Sequence, residues 1–368
     1  MTGGDPVCPD FEGGWIGAVP SALEGVLAGE PPPDWLSERV AGVCGVVLLV
    51  IDGLGWEAVG QHAGHVPTLA AMTGGPITTV APSTTAAALT SIASGVAPGE
   101  HGVVGYRMRV GGDVLNVLKW SVGDGKPPEP ASVQGRPAFG GRPRPAVTRA
   151  DFKDTGFTQA HLGGANLEGW NTPAGVITQC RRLSAAGTPF IYAYYDGVDK
   201  VAHAHGLRDA FYIDELHATD RLVGDVLSVL PADYALVVTA DHGQVHIGGD
   251  GWQRLAELDE LVSLQAGDGR FRYLHARPGA SRDLAQAAVE VAGARAWVLT
   301  REELVDSGWL GRKVGPTVSG RLGDVILAAR DHYAFIDPRH ERETKLIAGH
   351  GSLTSAEMRV PLLVALAG

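Results

Sequence analysis

The sequence predicts an α/β fold: a mainly parallel central sheet flanked by helices, with a smaller inserted cap subdomain. Three observations predict it. First, Gly45-Val-Val-Leu-Leu-Val-Ile51, Phe190-Ile-Tyr-Ala-Tyr-Tyr195 and Tyr234-Ala-Leu-Val-Val-Thr239 are continuous apolar or β-branched runs, the pattern of strands buried on both faces. Second, helical patterns separate them, above all Leu216, Leu222, Val223, Val226, Leu227 and Leu230 at helical spacing in residues 212–230, a core-packing helix with no function assigned to it. Third, carboxylates follow the three runs closely, at the sheet edge where open α/β proteins bind ligands.

The chain has 368 residues, enough for one large domain with insertions or for two domains. With 45% hydrophobic and 19% charged residues it reads as a soluble globular protein. The formal net charge of -11 argues against a nucleic-acid polymer or an anionic membrane as partner, although solubility alone explains the acidity. Cys8, Cys44 and Cys180 are odd in number and widely spaced, so neither a disulfide framework nor a thiolate metal site is expected. Asp5, Asp10 and Glu12 interrupt any signal-peptide pattern, and the apolar run from Val43 to Ile51 is too short for a bilayer, which takes about 20 residues. A cytoplasmic location is the expectation.

In chain order, residues 1 to about 40 are rich in Gly and Pro and are expected to wrap the surface. The first strand ends at Asp52-Gly53-Leu54-Gly55, where Asp52 either caps the next helix or faces a ligand. Ile77-Thr-Thr-Val80 reads as a short strand, followed by Pro82-Ser83-Thr84-Thr85 and an Ala-rich helix that Gly95 stops. One hydroxyl suffices for an N-cap, so three successive hydroxyls exceed what capping requires. A hydroxyl at a helix N-terminus also stands where a phosphoryl oxygen is well held. Pro98-Gly-Glu-His-Gly102 is a tight turn. Residues 111–155, with Lys126-Pro-Pro-Glu-Pro130 and Gly140-Gly-Arg-Pro-Arg-Pro145, read as a loop or lid with little regular structure. After the strand at 190–195, Asp199 and His203 are four apart and face one way on a helical turn. His205 lies off that face and is secondary. Asp241-His242-Gly243 ends the strand at 234–239. Residues 246–345, with Phe271-Arg-Tyr-Leu-His275, a helix near 283–292 and Gly323-Asp-Val-Ile-Leu-Ala-Ala329, form the expected cap. Gly349-His350-Gly351 and a last strand, Val360-Pro-Leu-Leu-Val364, close the chain.

Each of these features has an ordinary structural explanation, but their joint pattern does not. Three carboxylates, three histidines and a hydroxyl cluster all fall at strand exits or glycine-flanked turns. Asp oxygen and His nitrogen are zinc donors, and three of each suffice for a two-metal site that keeps positions open for substrate.

In order and content these motifs resemble the nucleotide pyrophosphatase/phosphodiesterase family of the alkaline phosphatase superfamily. The resemblance runs from about Val47 to Val364 through Asp52-Gly, Pro82-Ser-Thr-Thr85, Pro98-Gly-Glu-His-Gly102, Asp199-x-x-x-His203, Asp241-His242-Gly243 and Gly349-His350-Gly351. It is weak in 111–155 and 246–345. It implies an alkaline phosphatase-like core and two Zn2+, with Mn2+ as another divalent choice. One metal would take Asp199, His203 and His350, the other Asp52, Asp241, His242 and the nucleophile. The family nucleophile precedes the helix-closing glycine by ten positions, which from Gly95 implies Thr85, with Thr84 second and Ser83 third. A covalent phospho-threonine intermediate follows from the same resemblance, with nucleotide-type phosphodiesters or pyrophosphates as substrates.

One departure bears on substrate. Where many relatives carry an Asn after the His-Gly turn, this chain has Tyr106. Its phenol, or Asn116 or Lys119, would have to contact the phosphoryl group instead. A phosphonoacetate hydrolase-like or phosphomonoester activity is the alternative on the same scaffold, and a catalytically silent metal-binding protein is the non-enzyme alternative. A sulfatase is disfavoured by its missing nucleophile motif. A dinucleotide-dependent dehydrogenase is disfavoured because no Gly-x-Gly-x-x-Gly follows the first strand. Oligomeric state is not legible.

Overall fold

The computed structural model describes residues 4–368. The N-terminal segment does not merely wrap the surface. Val19–Leu27 forms a helix, α1, with Pro20 in its first turn, and Trp15, Ile16, Val19, Leu23 and Val26 are buried in the main core. Val19, Leu23 and Val26 recur at helical spacing, a pattern hidden inside a Gly/Pro-rich composition.

The first central strand, β1 (Gly45–Ile51), is buried along its whole length. An edge strand, β2, covers Thr73–Thr78, so it starts and stops earlier than the expected Ile77–Val80. Helix α2 (Thr85–Ser94) follows, and Gly95 ends it at φ 73°, a left-handed conformation that glycine adopts at little cost.

The segment 111–155, expected to hold little regular structure, contains short strands and adjoins another. Strands β3 (Arg107–Val110), β4 (Asp113–Asn116) and β5 (Ser121–Val122) form a small antiparallel sheet, and β6 (Pro145–Arg149) enters the main sheet. These strands have two to five residues and are broken by Gly and Pro, so they show no readable periodicity. Proline is tolerated as the first residue of a strand, where β6 carries Pro145.

Helix α3 (Gly156–His161), strand β7 (Asn166–Trp170), helix α4 (Pro173–Ala185), strand β8 (Phe190–Tyr195), helices α5 (Gly197–His205) and α6 (Ala210–Ser228), and strand β9 (Tyr234–Thr239) continue the fold. A second sheet follows: β10 (Val262–Gly267), β11 (Phe271–Ala276), helix α7 (Ser281–Ala292), β12 (Ala296–Thr300) and β13 (Val325–Ala329). It is antiparallel, in the order β10-β11-β13-β12. Alternation assigns its two faces. Leu274, Val325 and Leu327 pack with Leu284 and Ala288 of α7 in a core of their own, whereas Phe271, Tyr273, Ile326 and Ala328 join the main core.

The last strand, β14 (Arg359–Leu366), returns to the main sheet, whose order is β2-β14-β9-β1-β8-β6-β7. The five strands from β9 to β7 are mutually parallel, and β14 runs antiparallel to both β9 and β2. Among the described residues no helix is long and apolar enough to cross a membrane. Cys8, Cys44 and Cys180 are all free thiols.

Candidate active site

Register brings the site together. Ile51 of β1 lies opposite Tyr195 of β8, and Val50 lies opposite Thr239 of β9, so the three parallel strands end nearly flush. Asp52 leaves the tip of β1, α5 starts just past β8 and carries Asp199 and His203, and Asp241-His242 leaves β9. His350 arrives separately: Gly349 pairs with Val245, and Gly351 bridges to Ser83. Two glycines permit this crowding. Gly53 has φ 75°, and a Cβ there would lie 3.0 Å from the Asp199 backbone; a Cβ on Gly243 would lie 2.0 Å from the Ala356 carbonyl.

Three oxygen atoms crowd around His242 Nε2. From His242 Nε2, Thr85 Oγ1 is 3.1 Å away, Asp52 Oδ1 3.3 Å and Asp241 Oδ2 3.4 Å. Zinc bonds of about 2.0–2.1 Å at tetrahedral angles place ligand atoms about 3.3–3.4 Å apart, which matches this spacing. Asp52 Oδ1 and Asp241 Oδ2 are buried and lack a hydrogen-bond partner, so a cation is what would satisfy them. Beside this point, Asp199 Oδ1 lies 3.3 Å from His203 Nε2 and 3.8 Å from His350 Nε2. Asp199 also groups with Asp52 and His242, so its carboxylate reaches both candidate cation positions. The residues fit a pair of adjacent divalent cations with Asp/His donors.

The three histidines are held in the ligating tautomer. Their Nδ1 atoms donate to backbone carbonyls: His203 to Ala348 at 2.7 Å, His350 to Ser83 at 2.9 Å and His242 to Gly243 at 3.1 Å. A carbonyl only accepts, so each Nε2 keeps a lone pair for a metal. Burial holds His242 and, more strongly, His350 below the usual imidazole range. Burial also pushes the carboxyls of Asp52, Asp199 and Asp241 upward, and the charges of Asp241 and Asp199 push Asp52 further. Concentrated negative charge without a compensating cation is costly here.

The hydroxyl corner is not an N-cap cluster. Thr84 occupies the N-cap position of α2 but makes no side-chain cap bond. Ser83 donates to the Ser352 carbonyl at 2.7 Å and accepts from Gly351 N–H at 3.1 Å, which ties the corner to the His350 turn. Thr85 alone faces His242, from the first residue of α2.

Thr85 and Asp199 lie where two cavities meet, one of about 760 Å3 and one of about 220 Å3. Tyr106 and Lys119 line the larger. Asn116 stands behind Tyr106: its amide donates to the phenol oxygen at 2.9 Å, and its Oδ1 accepts from Lys119 N–H at 3.0 Å. With the phenol oxygen accepting, the Tyr106 proton remains free to donate. His205 stacks on Phe211 at 4.2 Å and belongs to neither candidate metal group.

Several supporting residues escape sequence reasoning. Tyr194 donates its hydroxyl to Asp52 Oδ2, which leaves Oδ1 for ligation. Gln244 donates to Asp199 Oδ1 at 2.6 Å. Glu357 braces both ligand turns: its carbonyl accepts Gly243 N–H at 2.8 Å, and its Oε1 accepts Ser352 N–H at 2.9 Å. Arg270, from the second sheet, holds the Glu357 carboxylate with two bonds of 2.7 Å. Proximity to Asp241-His242 was a signal for Gln244. For Tyr194 and Arg270 the sequence carries none, because their partners Asp52 and Glu357 are 142 and 87 positions away; Glu357 has Ser352 nearby, but its link to Gly243 is equally remote.

Comparison with known proteins agrees with this fold. The family model described as Type I phosphodiesterase / nucleotide pyrophosphatase matches residues 46–353. Murine ectonucleotide pyrophosphatase/phosphodiesterase 5 superposes with a TM-score of 0.67 at 14% identity, covering 87% of each chain. An inactive variant of it, solved in complex with AMP, superposes equally well, with a TM-score of 0.67, 14% identity and 87% of each chain covered. Phosphonoacetate hydrolase from Sinorhizobium meliloti 1021, in complex with phosphonoformate, gives a TM-score of 0.61 at 20% identity, covering 88% of this chain and 90% of that one. No curated protein sequence matches significantly.

Proposed function

Because the chain belongs to the type I phosphodiesterase / nucleotide pyrophosphatase family and is a phosphoester hydrolase on the alkaline phosphatase scaffold, we propose that it cleaves phosphodiester or pyrophosphate bonds of nucleotide-type substrates through a phospho-threonine at Thr85. The observation that carries this reading is the set of three oxygen atoms within 3.4 Å of His242 Nε2, one of them the Thr85 hydroxyl. Asp52, Asp241 and His242 would hold one zinc ion, and Asp199, His203 and His350 the other. Two such ions would lower the hydroxyl's pKa and neutralise charge on the phosphoryl oxygens.

The chain's own groups define the rest. Thr85 Oγ1 attacks phosphorus in line, and the ester or phosphoanhydride oxygen opposite departs. Water then attacks the phospho-threonine, restoring the hydroxyl and releasing the product. The N-terminus of α2 offers free N–H groups to the phosphoryl oxygens. Tyr106, positioned by Asn116, donates to a further oxygen in place of the family's Asn. A diester carries two substituents, and two cavities meeting at Thr85 suit that better than a monoester. The AMP complex of the murine relative is compatible with a nucleotide at such a junction.

The decisive test is hydrolysis of bis-p-nitrophenyl phosphate and nucleotide phosphodiesters, with Zn2+ and with chelator. Thr85→Ala should abolish turnover while Thr84→Ala retains most of it. Turnover that is indifferent to chelation, or survives in Thr85→Ala, would refute the reading.

A phosphonate or phosphomonoester hydrolase is the second reading. Lys119 and Arg342, both lining the larger cavity, have no ion-pair partner among the described residues and could meet a carboxylate or a second anionic group. A panel of monoesters, diesters and phosphonoacetate separates the two.

A further inference from the structure

The smaller cavity holds a group that neither the cation site nor the nucleophile uses. His161, at the end of α3, is 5% exposed and lines the 220 Å3 cavity. Its Nδ1 donates to the Phe157 carbonyl at 2.8 Å, so its Nε2 bears a lone pair and no proton. The ring is clamped against Phe157, with centroids 4.1 Å apart and planes at 18°.

Other polar groups around the cavity are engaged. Lys200 pairs with Asp196 at 2.5 Å, Tyr194 donates to Asp52, and Thr155 bonds to Thr158 at 3.0 Å. The hydroxyls of Thr148 and Tyr192 are uncommitted, but a hydroxyl can either donate or accept. The carboxylates of Asp52, Asp196 and Asp199 also only accept, but the first and last belong to the candidate cation site and Asp196 pairs with Lys200; of the uncharged polar groups lining the cavity, His161 Nε2 is the one restricted to accepting. Leu89, Leu118, Phe152, Phe157 and Leu162 supply apolar walls suited to a flat ring. The volume is below the usual range for drug-sized ligands, roughly 300–1,000 Å3, so a single ring system fits better than a long chain.

We propose that this cavity binds a heteroaromatic substituent of the substrate and that His161 Nε2 selects rings carrying an exocyclic N–H donor. The inference rests on the phosphodiesterase reading and deepens it. Burial keeps His161 neutral by lowering its pKa to about 4, so the acceptor persists across the neutral range. A ring lacking the donor leaves a desolvated nitrogen unpaired, and that penalty sets the discrimination.

The test compares p-nitrophenyl 5′-phosphodiesters of adenosine and of purine riboside, which differ only in the exocyclic amine. The wild-type enzyme should favour the adenosine ester by about tenfold or more in kcat/KM. In His161→Phe the ratio should fall to within about twofold of unity. In His161→Gln, which restores an acceptor, it should recover in part. The ratio is read within each protein, so a general loss of activity does not move it. A wild-type ratio near one, or a ratio retained in His161→Phe, overturns the proposal. Calorimetric binding of adenosine and purine-riboside 5′-monophosphates to the zinc-loaded wild type and variants should show the same selectivity, and equal affinities overturn it as well. If no diester is turned over at all, the hydrolase reading fails separately, and the binding comparison still decides the role of His161.

Discussion

The carboxyl edge of the main sheet and the second sheet at 262–329 contribute to one site in different ways. The edge supplies Asp52, Asp199, His203, Asp241 and His242, joined by His350 from a separate turn and by Thr85 from the start of α2. The second sheet supplies none of them, yet its Arg270 grips Glu357, from which the 241–243 and 350–352 turns both hang. The difference shows that chemistry here comes from strand ends whose spacing the hydrogen-bonded register dictates. Rigidity comes from a buried ion pair, with Arg270 and Glu357 side chains only 1% and 0% exposed.

This division can be broken by experiment. The largest effect belongs to the edge. Asp241→Ala should remove bound metal, read by elemental analysis, and lower kcat by about a thousandfold or more, with the fold retained by circular dichroism. Full activity with full metal content would dissolve the distinction. Next comes the brace. Arg270→Met leaves the Glu357 carboxylate buried and unpaired, and should cost about 3–5 kcal/mol in urea unfolding. The double substitution with Glu357→Met should cost less than Arg270→Met, because no lone charge remains. If Arg270→Met changes turnover without changing stability, the second sheet is acting on chemistry instead.

A smaller effect is expected at the junction of the two roles. Tyr194→Phe frees Asp52 Oδ2 from its tether and should weaken metal affinity by roughly tenfold to a hundredfold, measured by competition with a chromogenic chelator. The smallest distinction concerns acid. Burial lowers the pKa of His101 to about 3, of His161 to about 4 and of His275 to about 4. A depressed histidine pKa means that the unfolded chain takes up protons first as pH falls. Stability should therefore be full above about pH 6.5 and decline progressively toward pH 4, in melts followed by fluorescence. His101→Gln on the main-core side and His275→Gln on the second sheet should each flatten part of that decline. No change in the acid slope would mean that neither histidine is neutral because of burial.

Much of the site could be read from residue order because its parts are local. Asp52, Asp241-His242 and Asp199-x-x-x-His203 announce themselves as polar residues following buried strands, and the strands are legible because burial on both faces demands unbroken apolar runs. Helix α2 and its closing Gly95 were equally plain. The short strands β3 to β7 were not, since two to five residues interrupted by Gly and Pro carry no period. Helix α1 was masked by composition, although its apolar spacing was present.

Residue types, their order along the chain and their placement at strand exits were determined by the sequence itself, since a strand buried on both faces needs a characteristic run and a turn to end it. Tertiary structure decided which atoms meet. Parallel register aligned the tips of β1, β8 and β9, a two-residue pairing delivered His350, and contacts between distant segments chose Tyr194 for Asp52, Gln244 for Asp199 and Glu357 for Gly243. Linear spacing sets direction over a helical turn or a strand. Contact between residues distant along the chain depends on how whole layers pack, and no local pattern encodes that.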